Sequence, residues 1–171
     1  MDTVSEARLQ LVCPALSTKT HLLAAMLEDE GIVFRVTQGL RSWNDQQKLW
    51  LEGRDVNGVV IDPTKIVTNA PPGHSWHEFG LAVDVVPMDQ EPPQPDWNIN
   101  HPVWQRLISV GESLGLYSGS EFVHIKDNPH FQLTGTFPVS PNDEVRQIFL
   151  NAGIEAVWHE AGLVQEQQIT T

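Results

Sequence analysis

Cysteine and positive charge are both scarce in this chain. Cys13 is the one cysteine among 171 residues, so no disulfide can form within the chain, and this fits synthesis in a reducing compartment. Ten Lys and Arg stand against 22 Asp and Glu, a formal net charge of -12 at pH 7. Nucleic-acid binding relies on clustered Lys and Arg, so this balance argues against nucleic acid as a partner.

Long apolar runs are missing as well. No window of the sequence approaches the run of about 18 apolar residues that a membrane helix needs, so we expect no membrane span. The first residues, Met1 to Glu6, are acidic and contain no apolar stretch, so we expect no Sec-type signal peptide. The hydrophobic fraction of 40% and the charged fraction of 19% are ordinary for a water-soluble globule.

The length and the turn signals predict one domain of mixed helices and strands. A chain of this size buries about 70% of the surface that its unfolded form exposes, so it needs no disulfide or metal to hold its core. Hydrophobic periodicity and helix-end signals place the elements. We expect helices over residues 17–30, 43–51, 102–114, 142–151 and 154–161. We expect strands over residues 32–37, 66–68, 81–86 and, as a strand pair or one bent strand, 121–133. In the first helix we expect the inner stripe to consist of Leu22, Leu23, Met26 and Leu27.

A motif around residues 75–84 points to a metal. It holds His77 and Asp84 seven residues apart, with Gly80 and Ala82 between them, and it ends in a strand pattern. Side chains alternate along a strand, so Asp84 shares a face with the apolar Ala82 and Val86. A carboxylate among apolar neighbours is too costly to bury without a partner, so Asp84 needs a cation. A metal shared with His77 would supply it.

A second stretch, Asp127-Asn-Pro-His130-Phe-Gln, adds another imidazole. His77, Asp84 and His130 together make the donor set of an open zinc site, in which water takes the fourth position. The alternative without a metal is that the two histidines are buried residues whose hydrogen bonds are all made within the protein, and that Asp84 caps a turn. Neutral imidazole and ionised carboxylate are the forms that bind a metal, and both are present at pH 7.

The two motifs together resemble the zinc peptidases of the D-alanyl-D-alanine carboxypeptidase and L-alanyl-D-glutamate endopeptidase superfamily. The resemblance covers roughly residues 10 to 133, and the D-x-P-H-F ending is similar to that of the L-alanyl-D-glutamate branch, which includes many phage endolysins. It implies an α+β fold in which a small antiparallel sheet carries the zinc and helices flank it. The matching residues are Ser75-x-His77-x-x-Gly80-x-Ala82-x-Asp84 and Asp127-x-Pro129-His130-Phe131.

The resemblance implies one Zn²⁺ per chain, bound by His77, Asp84 and His130. It leaves His74 outside the metal shell, although His74 and His77 form a His-x-x-His pair. His124 precedes the second motif, and we interpret it as a residue that supports the site or lines the cleft.

Four further residues are candidates for catalysis or substrate binding. Asp127 stands three residues before His130 across a proline turn, where its carboxylate can take a proton from the attacking water; alternatively it only caps the turn. Arg41 is the candidate that stabilises the oxyanion of the tetrahedral intermediate. Alternatively, its guanidinium has only a structural role and binds the carboxylate of Asp84 or Glu78. Ser75 and Gln47 match positions that line the family's cleft, which makes them substrate-binding candidates.

Three functions remain open at this stage. The first is a zinc peptidase that cuts a peptidoglycan stem peptide at the L-alanyl-D-glutamate bond. The second is a D-alanyl-D-alanine carboxypeptidase, although those relatives usually carry glutamate where this chain has Asp127. The third is a non-catalytic zinc-containing domain that binds cell wall or protein, because the Hedgehog signalling domain shares this fold and zinc arrangement. The segment Tyr117–Phe122 replaces a common Trp-Gly-Gly-Asp-Trp run, which bears on substrate preference.

We expect a catalytic domain over residues 1–135 and a helical extension over residues 136–171 that packs on the same domain. The partner is a peptidoglycan stem peptide, and we expect a monomer. Without a signal peptide, we expect the protein to be made in the cytoplasm and to act on cell-wall peptidoglycan, for instance after phage-mediated release.

Overall fold

The computed structural model describes residues 1–90, 93–123 and 125–164. Short 3₁₀ turns at Pro63–Lys65, Trp76–Phe79 and Gly119–Glu121 join some of the larger elements. The helices are α1 (Thr3–Leu9), α2 (Pro14–Glu28), α3 (Trp43–Leu51), α4 (Pro102–Ser113), α5 (Asp143–Ala152) and α6 (Ile154–Glu160). The strands are β1 (Phe34–Gln38), β2 (Ala82–Gln90), β3 (Pro93–Pro95), β4 (Tyr117–Ser118) and β5 (His130–Gln132).

The strands form one small antiparallel sheet in the order β1-β2-β5-β4, and β3 pairs with the far end of β2. β2 therefore lies between β1 and β5, and Asp84 is opposite Gln38 on one side and His130 on the other. The pairing of β1 with β2 is irregular between Val36 and Gln38. The predicted α+β class, a small antiparallel sheet flanked by helices, is confirmed.

Helices α2 and α4 pack against each other, and α4 packs against β2 and β4. The contact between α4 and β5 is close, because a Cβ at Gly111 would lie 2.4 Å from the ring of Phe131. Phe131 is fully buried and directly follows His130 in the chain. The same apolar cluster includes Leu107 and Val110 on α4. The core thus supports the strand that carries the second motif.

The N-terminal helices differ from the prediction. α1 was not expected, and α2 begins at Pro14 instead of residue 17, because proline is well suited to the first turn of a helix. The buried side of α2 consists of Leu16, Thr20, Leu23 and Leu27, which follow the helical repeat. Two residues expected on that side, Leu22 and Met26, are 50% and 42% exposed.

The strand expected over residues 66–68 is wrong. The structure has no strand at residues 66–68, which follow the 3₁₀ turn Pro63–Lys65; Asp62 begins that turn by accepting a hydrogen bond from the backbone N–H of Thr64. The boundaries predicted for α3, α4, α5 and α6 are within two residues at each end. The strand boundaries agree less well. β2 continues to Gln90, past its predicted end at residue 86, and among the described residues of 121–133 only β5, His130–Gln132, is a strand, because the turn that holds Asp127 precedes it. Ser42 begins α3 as expected, with its side chain accepting from the N–H of Asp45.

The C-terminal segment packs against the segment that carries the first motif. Phe149 on α5 stacks on Trp43, with ring centroids 5.6 Å apart, and meets Phe79 edge-on at 5.4 Å. Trp158 on α6 donates its indole N–H to the carbonyl of Phe79 at 2.8 Å. Within the described residues, no helix is both long enough and apolar enough to cross a bilayer.

Candidate active site

His77 lies in the 3₁₀ turn Trp76–Phe79, directly before β2, and is 2% exposed. The chain reverses after this turn at Gly80, whose φ of 63° is in the left-handed region that glycine adopts without strain. His77 Nδ1 is 2.9 Å from the carbonyl oxygen of Gly39. A carbonyl only accepts, so Nδ1 carries a proton and donates it, and Nε2 is the atom that faces the site.

The sheet brings the other two predicted ligands to the same point. Asp84 on β2 and His130 on β5 are paired residues of neighbouring strands. Asp84 Oδ1 is 3.0 Å from His77 Nε2 and 3.3 Å from His130 Nδ1, and the two imidazole nitrogens are 3.2 Å apart. One ligand atom from each of the three residues therefore lies within 4.8 Å of the others.

This arrangement fits a zinc ion. Zinc binds nitrogen and oxygen ligands at about 2.0–2.1 Å, so the ligand atoms of a tetrahedral site lie roughly 3.3 Å apart. The three distances here, 3.0, 3.2 and 3.3 Å, are close to that spacing. In the described part of the chain, this is the one cluster of three or more His, Cys, Asp or Glu residues with such convergence. The ligand roles of the three residues remain predictions.

The ionisation of the cluster follows from its burial and its charges. Burial acts to raise the pKa of Asp84, but the charge of His77 and the hydrogen bonds from both imidazoles hold it far below its usual range. Burial acts to lower the pKa of His130, but its hydrogen bond to Asp84 and the charge of that carboxylate raise it. Asp84 is therefore ionised, and it attracts a cation or a proton to the point between the imidazoles.

Asp127 is half-buried in a tight turn before β5. Its N–H donates to the carbonyl of Gly119 at 3.0 Å, and its carbonyl accepts from the N–H of His130 at 3.1 Å. Burial raises the pKa of Asp127, the charge of Asp84 raises it further, and the cationic side chains around it oppose this. Asp127 thus interacts electrostatically with the cluster, and a raised pKa makes it a better proton acceptor. Its catalytic role remains a prediction.

Gly119 is a functional residue that was not predicted from the sequence. A Cβ at this position would lie 2.4 Å from the carbonyl oxygen of Asp127 and 2.9 Å from Cβ of His130. Only a residue without a side chain allows the turn to pack so closely, so Gly119 sets the position of both Asp127 and His130. Its one signal in the sequence is a glycine within the segment Tyr117–Phe122.

Arg41 lies beside the cluster, with a side chain that is 13% exposed. The backbone N–H of Arg41 donates to the carbonyl of His77 at 3.0 Å. In its side chain, Nη1 donates to Oε1 of Gln46 at 2.9 Å. Gln46 is fully buried, and its Nε2 donates to the carbonyl of Ala70 at 2.7 Å. Arg41 Nη2 is 3.7 Å from Asp84 Oδ2, too far for a hydrogen bond. The guanidinium is held by the buried amide and is not clamped by Asp84.

The substrate-binding candidates have less support from the contacts. Gln47 is half-buried on α3, and among the described residues its side chain makes no hydrogen bond. Its neighbour Gln46, which was not selected, is the glutamine that contacts Arg41. Ser75 is half-buried at the start of the turn that carries His77, and its N–H donates to Oε2 of Glu78 at 3.0 Å.

His74 does not join the cluster of His77, Asp84 and His130. His74 is exposed, and its Nδ1 is 3.4 Å from Nη1 of Arg146. This agrees with the expectation that His74 lies outside the metal shell. His124 lies outside the described residues.

Space for a substrate is present next to Arg41. A pocket of about 320 Å³ opens there between the end of β1 and α3. On the β5 side, the ring of Phe122 lies 5.3 Å from that of His130, and Tyr117 stacks on Phe122 at 6.0 Å. The pocket is lined by Gln38, Leu40, Arg41, Asp45, Lys48 and Leu49.

The chain is similar in sequence to known proteins. Residues 10–128 match the model of the VanY family, described as D-alanyl-D-alanine carboxypeptidase. The chain is 27% identical over 127 residues to the peptidoglycan L-alanyl-D-glutamate endopeptidase CwlK of Bacillus subtilis, covering 70% of this chain and 72% of CwlK.

Solved structures agree in fold. The L-Ala D-Glu endopeptidase ChiX of Serratia marcescens superposes with a TM-score of 0.54 at 26% identity, over 78% of this chain and 89% of ChiX. The vancomycin resistance D,D-pentapeptidase VanY, solved in complex with Zn(II), gives a TM-score of 0.53 at 18% identity, over 85% of this chain and 83% of VanY, and shows the fold alone. Because the family model matches well over half of the 171 residues, the chain belongs to the VanY family of D-alanyl-D-alanine carboxypeptidases.

Proposed function

We propose that this protein is a zinc-dependent peptidase that hydrolyses peptidoglycan stem peptides at the L-alanyl-D-glutamate bond. The convergence of His77 Nε2, Asp84 Oδ1 and His130 Nδ1 on one point, beside Asp127 and Arg41, carries the proposal. Two relatives that cover most of the chain, CwlK and ChiX, are named for cleavage of that bond.

In this proposal His77, Asp84 and His130 would hold the zinc, which would supply Lewis acidity at the scissile carbonyl and lower the pKa of a bound water. Asp127 takes one proton from the attacking water while the water oxygen bonds to the carbonyl carbon. Asp127 then passes that proton to the leaving nitrogen as the C–N bond breaks. The second water proton leaves the new carboxyl group for the amine, so the products are a carboxylate and an ammonium group, and Asp127 returns to its ionised form.

Arg41 stabilises the negative charge that develops on the carbonyl oxygen in the transition state. A guanidinium is always charged and its planar donors are fixed once one edge is held, so it needs no reorganisation during the reaction. Gln46 holds that edge through Nη1, and Nη2 makes no hydrogen bond to any of the described residues. The pocket beside Arg41 would receive part of the peptide.

A second candidate activity is the removal of a terminal D-alanine. The description of the matched family favours it, since it names a D-alanyl-D-alanine carboxypeptidase. Both activities need the same zinc, base and oxyanion partner, and they differ in which bond of the stem peptide lies over the metal.

Digestion of purified muropeptides followed by mass spectrometry tests the proposal. New L-alanine carboxyl ends are the expected result, whereas loss of D-alanine alone would assign the carboxypeptidase activity. An unchanged digest by zinc-loaded protein would contradict both activities and would favour a binding domain.

Where the protein acts and its assembly state are also part of the proposal. We propose that it acts as a monomer on cell-wall peptidoglycan, reaching the wall after release from the cytoplasm. Sedimentation of the purified protein measures the mass, with 19.1 kDa expected for one chain.

A further inference from the structure

Gln132 is a buried polar residue with no role in the mechanism described above. It lies at the end of β5, two residues after His130, and is 2% exposed. Residues two apart on a strand project from the same face, so its amide reaches the imidazole of His130. Gln132 Oε1 is 3.0 Å from His130 Nε2, and Gln132 Nε2 is 2.8 Å from the carbonyl oxygen of Val139.

These two contacts fix which atom donates and which accepts in both hydrogen bonds between Val139 and His130. The Val139 carbonyl can only accept, so the NH₂ group of Gln132 faces Val139 and its carbonyl oxygen faces His130. That oxygen can also only accept, so His130 carries its proton on Nε2. His130 Nδ1, the nitrogen that faces Asp84 and His77, is then the one that gives up its proton and offers a lone pair when a metal binds.

We propose that Gln132 is a positioning residue, which sets the tautomer and ring orientation of His130 for metal binding through a relay that starts at the Val139 carbonyl. The inference rests on the proposed zinc centre. His77 is oriented directly by a backbone carbonyl, that of Gly39, at 2.9 Å. Among the described residues, no backbone carbonyl contacts the His130 imidazole, and the Gln132 amide links that imidazole to the Val139 carbonyl.

The relay connects the metal centre to the C-terminal segment. The carbonyl of Val139 also accepts the indole N–H of Trp76 at 2.7 Å, and Trp76 directly precedes His77. One backbone carbonyl beyond β5 thus supports both histidine-bearing segments. This second bond keeps Val139 hydrogen-bonded when the Gln132 side chain is changed, so the effect on His130 can be measured separately.

The test compares zinc affinity in three variants by competition with a chelator, with unfolding temperature measured on the same samples. Gln132→Leu removes the acceptor for His130, and we expect zinc affinity to fall by about 10–100-fold, the usual effect of losing such a partner. Gln132→Glu keeps an acceptor toward His130, and we expect affinity within about threefold of the parent. Thr20→Val on α2 is the matched control, because Thr20 is also fully buried and its hydroxyl donates to a backbone carbonyl, that of Leu16 at 2.9 Å, and we expect its zinc affinity to be unchanged.

Nitrogen-15 NMR of the zinc-loaded parent reports which nitrogen of His130 is protonated. This would not change if Gln132 had only a structural role. We expect His130 to be protonated at Nε2 and metal-bound at Nδ1, with the Nε2 proton exchanging faster in Gln132→Leu. The inference is overturned if Gln132→Leu binds zinc like the parent, or if Gln132→Leu and Gln132→Glu lose affinity equally. If the parent itself binds no zinc through these residues, the proposed function fails instead.

Discussion

Asp84 and His130 are paired across the β2–β5 ladder, with Asp84 Oδ1 3.3 Å from His130 Nδ1. The register of two strands therefore sets the distance between two of the three proposed ligands. A slip of one residue would turn His130 to the opposite face of the sheet. The centre is consequently built on hydrogen-bonded backbone, with only His77 supplied by a turn.

Replacing the proposed ligands should remove the metal. We expect His77→Ala to lose bound zinc and activity together, because two remaining ligands hold zinc far less tightly than three. His74→Ala is the control, since His74 is exposed and outside the cluster, and we expect it to keep one zinc per chain. Elemental analysis of the purified proteins measures both; zinc loss in His74→Ala would show that the wrong histidine was chosen.

Asp127→Ala should separate catalysis from metal binding. We expect this variant to keep its zinc but to lose roughly 10²–10⁴ in turnover, the usual contribution of a positioned acid–base group. Asp127→Glu should retain part of the activity, because its carboxylate is displaced by one methylene. Steady-state kinetics on a defined stem peptide, with metal analysis of the same samples, checks this. Turnover at the parent rate in Asp127→Ala would exclude the general-base role.

Arg41→Ala should lower turnover more than it raises KM. The oxyanion that Arg41 is proposed to meet exists only in the transition state, and the loss of such a partner costs roughly 10²–10³ in kcat. Arg41→Lys should restore little, because a lysine ammonium cannot be held by Gln46 and face the substrate at once. A rise in KM with unchanged kcat would instead identify Arg41 as a ground-state binding residue.

The stabilisation by zinc should increase with pH. The folded pKa of Asp84 is below the ordinary value of 3.8, so its contribution to stability is present above that pH and lost as pH falls through the lowered pKa. The folded pKa of His130 is above 6.5, so its contribution is complete below that pH and lost as pH rises through the raised pKa.

The zinc-free protein should therefore lose stability as pH rises beyond 6.5, whereas zinc replaces the proton in the loaded protein. We expect the difference in Tm between loaded and zinc-free protein to widen from about pH 5 to about pH 8. Calorimetry over this range measures it. A difference that stays constant would mean that no proton leaves the cluster when zinc binds.

Gly119→Ala should damage the site through sterics alone. The new methyl group would lie 2.4 Å from the Asp127 carbonyl oxygen, so the turn must move, and we expect a loss of about 1–3 kcal/mol in the free energy of unfolding. Activity should fall further than stability explains, because Asp127 and His130 shift together. Ser120→Ala, at the neighbouring position, should change stability by about 0.5 kcal/mol or less. Equal effects of the two substitutions on urea unfolding would contradict this account of Gly119.

The convergence of His77, Asp84 and His130 was predictable because each lies in a short motif, and strand alternation places Asp84 on the same face as Ala82 and Val86. The helices α4 to α6 were predictable from proline and glycine at their ends. These signals are local, so no long-range contact was needed to read them.

The residues that were missed depend on contacts between distant parts of the chain. Gly119 matters because the turn holding Asp127 packs on it, and Gln46 is distinguished from Gln47 only by which of them faces Arg41. Leu22 and Met26 were assigned to the core from their hydrophobicity, but helix phase places them outward. Hydrophobicity and spacing do not encode these contacts.

The hydrogen bonds from Trp158 to Phe79 and from Gln132 to Val139 also order the events of synthesis. All three proposed ligands are added to the chain before Val139 and Trp158. A nascent chain at that stage carries the ligands but lacks the carbonyl that orients His130 and the indole that secures the turn beside His77. We expect such a chain to capture zinc weakly, so the peptidase becomes competent only after its C-terminal helices have been made.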